Sequence, residues 1–151
     1  MEPFQTKYLF PGEIFYSIQP YKITTILGSC VSVTIFNKKN NFGGINHFLL
    51  SESNNAETQD ANKYGNFAMK NLISGLLKID SDVSNYEAKM FGGGKVISSI
   101  IDFKIGENNI NAARNILNQY GIPVITECVD NDFGLKIIFF NFNNKVFVTR
   151  I

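Results

Sequence analysis

Two side chains suited to nucleophilic chemistry lie 17 residues apart in this chain: Cys30 and His47, the only histidine. Cys30 follows Gly28-Ser29 and opens the apolar run Val31 to Phe36. His47 lies in a second apolar run, Gly44 to Leu50, after the turn-rich segment Asn37 to Asn41. Two strands joined by such a turn form a hairpin, and residues near its open end come side by side. A thiol beside an imidazole is the minimum for nucleophilic catalysis: the imidazole takes the thiol proton and the thiolate attacks a carbonyl carbon. Such pairing would raise the thiolate fraction of Cys30 above that of Cys128. Gly28-Ser29 lets the backbone turn sharply, which makes the N–H groups of Gly28, Ser29 and Cys30 candidates to receive an oxyanion. A hydroxyl in the same region, Thr24 or Thr25, could orient the imidazole as a third member. The bland alternative is a small buried thiol and a structural histidine.

The elements that must position this pair belong to a single domain, residues 1–151, long enough to bury a real core. Its 44% hydrophobic and 18% charged residues fit a soluble globular protein, expected in the cytoplasm. The net charge is +1, and only two of the 14 basic residues are arginine, Arg114 and Arg150, so no nucleic-acid surface is expected. The N-terminus lacks a signal pattern, and no run of 18 apolar residues predicts membrane insertion. Two cysteines, Cys30 and Cys128, make no disulfide scaffold. A zinc site from Cys30, His47 and Cys128 is a second hypothesis, weakened by the missing C-x-x-C pair and fourth donor. No metal or organic cofactor is required.

Along the chain, Glu13 to Ile18, Lys22 to Ile26, Val31 to Phe36 and Gly43 to Leu50 read as strands. Ser51 to Asn62 is a polar loop that could wall a groove beside the pair. Tyr64, Phe67, Ala68, Leu72, Leu76 and Ile79 recur at helical spacing, with Gly65 and Gly75 as weak points. Tyr86 to Phe91 is a strand ending in Gly92-Gly93-Gly94-Lys95. That glycine run lacks the phosphate-loop spacing and is expected to be a tight loop where backbone packs on backbone. A second helix has the stripe Ile110, Ala113, Ile116, Leu117 and Tyr120, capped by Asn108 or Asn109 and stopped by Gly121 and Pro123. Strands Val124 to Val129, Leu135 to Phe142 and Lys145 to Ile151 close the chain, the last two joined at Asn143-Asn144. Without strict strand–helix alternation, the order predicts a layered α+β domain with mixed sheets and two main helices.

Thr24 to Val33 (T-T-I-L-G-S-C-V-S-V) with Gly44 to Leu50 (G-I-N-H-F-L-L) resembles the chemoreceptor glutamine deamidases, the CheD family. The resemblance continues at Lys63-Tyr64-Gly65-Asn66-Phe67-Ala68-Met69, Lys89-Met90-Phe91-Gly92-Gly93-Gly94 and Ile105-Gly106-Glu107-Asn108-Asn109, in family order. It implies a protein-glutamine glutaminase that converts chemoreceptor glutamines to glutamate, with Cys30 as nucleophile, His47 as base and Thr24, rather than Thr25, as the orienting hydroxyl. It also implies an α/β/β sandwich related to bacterial toxin deamidases, methyl-accepting chemoreceptors as substrate, and a CheC-type phosphatase as partner. An alternative function is a regulatory module that mainly engages and stimulates that phosphatase; a thiol hydrolase or transamidase acting on another protein's glutamine is a further one. One segment departs from the family: its D-x-G-G run is replaced by Cys128-Val129-Asp130-Asn131, which is expected to change the local turn.

Overall fold

A computed structural model of the chain describes residues 3–53, 60–95 and 100–151. In chain order the strands are β1 (Gln5–Tyr8), β2 (Ile14–Ser17), β3 (Tyr21–Leu27), β4 (Val31–Asn37), β5 (Phe42–Asn46), β6 (Tyr86–Gly92), β7 (Val124–Val129), β8 (Leu135–Phe140) and β9 (Lys145–Arg150). The helices are α1 (Gly65–Ile79) and α2 (Ile100–Tyr120). They form a four-stranded sheet in the order β1-β3-β8-β9 and a five-stranded sheet in the order β2-β5-β4-β6-β7. The pairs β1/β3 and β6/β7 are parallel and the others antiparallel. The fold is thus α+β with two mixed sheets, as the order of elements predicts.

Strand β4 organises the layers. It is the middle strand of the larger sheet and is buried along its whole length. Its sequence alternates aliphatic and hydroxyl side chains, and a strand presents alternate residues to opposite faces. Val31, Val33 and Ile35 face α1 and α2, where Ala68, Leu72, Leu76, Ala113 and Leu117 join them in one core. The opposite face of the sheet contributes Ile45 and Phe91 to a second core with Ile23, Leu27, Leu135, Ile137 and Phe139 of the smaller sheet. Helices cover one face and the smaller sheet covers the other. That smaller sheet carries Lys7, Lys22, Lys136, Lys145 and Arg150, and none of its four strands has an acidic residue.

Several expectations shift. Strand β1, polar and only four residues long, has no apolar pattern to reveal it; it exists by pairing with β3. Helix α2 starts at Ile100, so Asn108 and Asn109 lie inside it rather than capping it. Gly106 lies inside the helix as well. A Cβ there would strike the backbone of Gly93, so glycine is what allows the helix to approach the loop. The stop is where the sequence puts it: Gly121 takes φ 73°, and Ile122 N–H donates back to Leu117 O at 3.0 Å.

The triple glycine packs backbone on backbone, as expected. Gly93 N–H donates to Cys30 O at 2.8 Å, and Gly94 N–H to Gly28 O at 2.9 Å. Asp130 takes φ 62°, so the turn keeps a left-handed residue although the family's glycine pair is absent. Asp130 N–H donates to Gly92 O at 3.0 Å, which fastens this turn to the glycine loop. The proposed groove wall at Ser51 to Asn62 falls partly on residues 54–59, which lie outside the described residues.

Gly92 and Gly121 both have positive φ, but only Gly92 is crowded: an added Cβ would meet Cys30 O. Gly121→Ala is therefore expected to cost about 1–2 kcal/mol from backbone strain alone. Gly92→Ala should cost more, because a steric collision adds to the strain. Urea denaturation of the two variants compares them; equal losses would mean that the Cys30 loop yields freely.

Candidate active site

The hydroxyl against the imidazole belongs to Thr25. Ile23, Thr25 and Leu27 point from β3 into the space between the sheets, all essentially buried. Thr24 and Ile26 point outward, and Thr24 lines an open surface groove with Thr6, Lys22 and Lys136. Thr25 Oγ1 lies 2.7 Å from His47 Nδ1 and 2.8 Å from Leu9 O. This corrects the assignment of Thr24, for a simple reason: adjacent strand residues face opposite ways. The signal was present in the sequence, since Thr25 shares its parity with the apolar Ile23 and Leu27.

The two contacts of Thr25 fix the protonation of His47. A hydroxyl has one hydrogen, and the Leu9 carbonyl can only accept. Thr25 therefore donates to Leu9 O and accepts from His47 Nδ1–H. That assigns the proton to Nδ1 and leaves Nε2 with a free lone pair. The backbone of His47 is held as well: its N–H donates to Glu13 O at 3.1 Å, and its carbonyl accepts from Gly12 N–H at 2.8 Å. The residue as a whole is 2% exposed.

Cys30 reaches the same space from the position just before β4. The β4/β5 register pairs Thr34 with Ile45 and continues through a bridge between Val31 and Phe48. Extended by one residue, it sets Cys30 across from Leu49 and Ser32 across from His47. Cys30 and His47 are then diagonal neighbours on one face, a spacing of roughly 7–8 Å between backbones that side chains can bridge. Among the described residues no hydrogen bond joins Sγ to the ring. The partly buried Cys30 packs at the edge of the core between the sheets.

The loop before Cys30 is tied by its carbonyls. Those of Gly28 and Cys30 accept from the glycine loop, and that of Ser29 accepts from Asn109 Nδ2 at 3.1 Å. Asn109 Nδ2 also donates to Leu49 O at 2.9 Å. The segment after His47 is held from another side, where Leu49 and Leu50 N–H groups donate to Lys63 O at 2.8 and 3.1 Å. The stretches Lys63 to Met69, Lys89 to Gly94 and Ile105 to Asn109 thus each contribute a residue that braces the Cys30 and His47 segments. Residue-type chemistry had pointed to Asn109 only as a cap; its place in the I-G-x-x-N stretch was the available signal.

Cys128 packs in the same interior, where Asn131 Nδ2 approaches its sulfur at 3.6 Å. Among the described residues, no three His, Cys, Asp or Glu side chains are grouped closely enough to hold a metal ion. The zinc grouping of Cys30, His47 and Cys128 is therefore not assembled.

Burial acts on both members of the pair. It pushes the Cys30 thiol up, with the residue's own backbone N–H partly offsetting it. It pushes His47 down to about 4. At neutral pH the resting site holds a thiol and a neutral imidazole, not the thiolate that pairing alone would predict, because desolvation penalises both charged forms.

The His47 shift is also a stability statement. The unfolded chain accepts a proton near pH 6.5, and the folded chain resists it down to about 4. Stability from this residue is complete above pH 6.5 and is lost as pH falls through that window, about 3 kcal/mol in all. Urea denaturation between about pH 7.5 and pH 4.5 should show the decline, and His47→Gln should flatten it. An unchanged slope in the variant would assign the effect to other groups.

Comparison with known proteins gives the family. The family described as "CheD chemotactic sensory transduction" matches residues 49–150. A protein of Methylobacillus flagellatus named probable chemoreceptor glutamine deamidase CheD is 38% identical over 147 residues, covering 95% of this chain and 72% of its own length. One of the same name from Laribacter hongkongensis is 39% identical, covering 95% and 71%. Another from Hydrogenovibrio crunogenus is 34% identical over 154 residues, covering 99% and 80%. With a family match over most of its residues and relatives this similar over nearly its whole length, the chain belongs to the CheD family.

Proposed function

We propose that this protein hydrolyses glutamine side chains of chemoreceptors to glutamate, releasing ammonia, with Cys30 as nucleophile, His47 as acid and base, and Thr25 as the orienting hydroxyl. The observation that carries the proposal is the Thr25 bridge between Leu9 O and His47 Nδ1, which leaves Nε2 as a free base on the face that Cys30 shares. The names of the relatives supply the substrate class. The layering of helices, large sheet and small sheet supports the α/β/β sandwich that the resemblance implies.

The chemistry follows from neutral partners. Nε2 takes the Sγ proton as sulfur attacks the glutamine Cδ, so charge need not separate before substrate binds. The carbonyl π electrons move to oxygen, and the Cys30 N–H, which already bears on the sulfur, is the first candidate to receive that oxyanion, with Ser29 beside it. The C–N bond breaks as the imidazolium returns its proton to nitrogen, giving ammonia and a thioester. Water then attacks the thioester, His47 takes its proton, and Sγ recovers it as glutamate leaves. The balance is one amide and one water to one carboxylic acid and one ammonia. A CheC-type phosphatase, the partner implied by the resemblance, would regulate this reaction by covering the site's mouth.

Mass spectrometry of chemoreceptor fragments incubated with the protein tests the proposal, through the gain of about 1 Da when NH₂ becomes OH. Wild type should convert selected glutamines, and Cys30→Ala should convert none while remaining folded. Conversion by Cys30→Ala at the wild-type rate would remove the nucleophile from the scheme. Thr25→Val should lower kcat on the order of 10-fold or more, because the ring loses its anchor. Thr25→Ser should restore most of that loss, and Thr24→Val should stay near wild type. A larger loss at Thr24 than at Thr25 would reassign the orienting hydroxyl.

A further inference from the structure

We propose that Asn109 is a positioning residue for Cys30 and His47: from the helical layer, its one carboxamide holds the loop ending in the nucleophile to the segment that follows the base. This rests on the function proposed above and deepens it. Nδ2 has two hydrogens, and both are used, one on Ser29 O at 3.1 Å and one on Leu49 O at 2.9 Å. Ser29 immediately precedes Cys30, and Leu49 lies two residues beyond His47. No sheet ladder can do this job, because the Gly28 to Cys30 segment has left β3 and has not yet joined β4.

The same face of α2 holds the loop a second time. Gly106, one turn earlier, approaches the Gly93 backbone, and Ile110 packs where a Gly93 side chain would be. Gly93 N–H in turn donates to Cys30 O. The carboxamide is an expensive choice at such a position. Asn109 is fully buried, and its Oδ1 has no hydrogen-bond partner among the described residues. An apolar side chain would fill a helix–sheet interface without burying an unpaired acceptor. Only the two donor hydrogens justify the amide, and both fall on the segments whose separation sets the distance between thiol and imidazole.

Asn109→Ala is the test, with Asn141→Ala as a matched control. Asn141 is also buried and also clamps backbone, accepting from Tyr21 N–H and donating to Ser17 and Gln19 carbonyls. Its bonds involve the β2–β3 connection rather than the site. Both variants should melt at lower temperature. Only Asn109→Ala should lower kcat, on the order of 10- to 100-fold, with KM within a factor of about 3. It should also change the rate at which iodoacetamide modifies Cys30, read by mass spectrometry, while Cys128 reacts as before. If Asn109→Ala fails to fold, the nearly isosteric Asn109→Asp takes its place with the same readouts. Wild-type kcat and Cys30 modification in the variant would overturn the proposal, as would equal effects of Asn141→Ala. The alkylation readout needs no turnover. A wild type that converts no glutamine would defeat the deamidase proposal, while a selective change at Cys30 would still support the clamp.

Discussion

A hydroxyl has a single proton to give, and Thr25 gives it to the carbonyl of Leu9. Everything about the site depends on that direction. Had Thr25 donated to the imidazole instead, Nδ1 would hold the lone pair and Nε2 the proton, and the ring could not accept from a thiol on that side. Leu9 follows the parallel edge strand β1, so the short strand with the least legible sequence supplies the acceptor that fixes the tautomer. The burial that protects this arrangement also lowers the basicity of His47. The proposed chemistry accommodates that loss by moving the thiol proton only when the amide arrives, rather than storing an ion pair in a poorly solvated space.

The second constraint is that β4 has no free face. Its aliphatic row is needed by the helices and its hydroxyl row lies toward the smaller sheet. The buried hydroxyls of Ser32 and Thr34 in that row have no hydrogen-bond partner among the described residues. The strand's ends are therefore its only route to chemistry, and Cys30 stands just before one of them. Bracing then has to come from outside the strand: the glycine loop after β6, the turn at Asp130, the Lys63 segment, and α2. Each reaches the site through backbone carbonyls rather than through charged side chains, which suits an interior that disfavours charge.

How much of this could be read from the sequence follows the range of the interactions. Cys30 and His47 sit on a continuous hairpin with a turn rich in asparagine, where Asn41 takes φ 56°, so local pattern was enough to bring them together. The glycine loop was legible for the same reason, as three successive residues without side chains invite backbone contact. Thr25 was legible in principle through strand parity, and the family resemblance points to its neighbour instead. Strand β1 was not, because a four-residue edge strand draws its stability from its partner. The start of α2 was misplaced because Asn108 and Asn109 read as caps before the apolar stripe, whereas the helix begins at Ile100. Asn109 could be noticed in a motif, but its two acceptors lie 80 and 60 residues away, beyond any local rule.

The smaller sheet gives the molecule an electrical asymmetry that its net charge of +1 conceals. Five of the 14 basic residues stand on its four strands, with none of the 13 acidic ones. The rest of the chain accordingly has nine cations against 13 anions. Such a particle has a dipole moment, and in a nonuniform field it rotates before it drifts. Encounters with a charged surface would therefore be biased in orientation even though the monopole attraction is nearly nil. That bias fades as salt shortens the screening length to about 8 Å near physiological ionic strength.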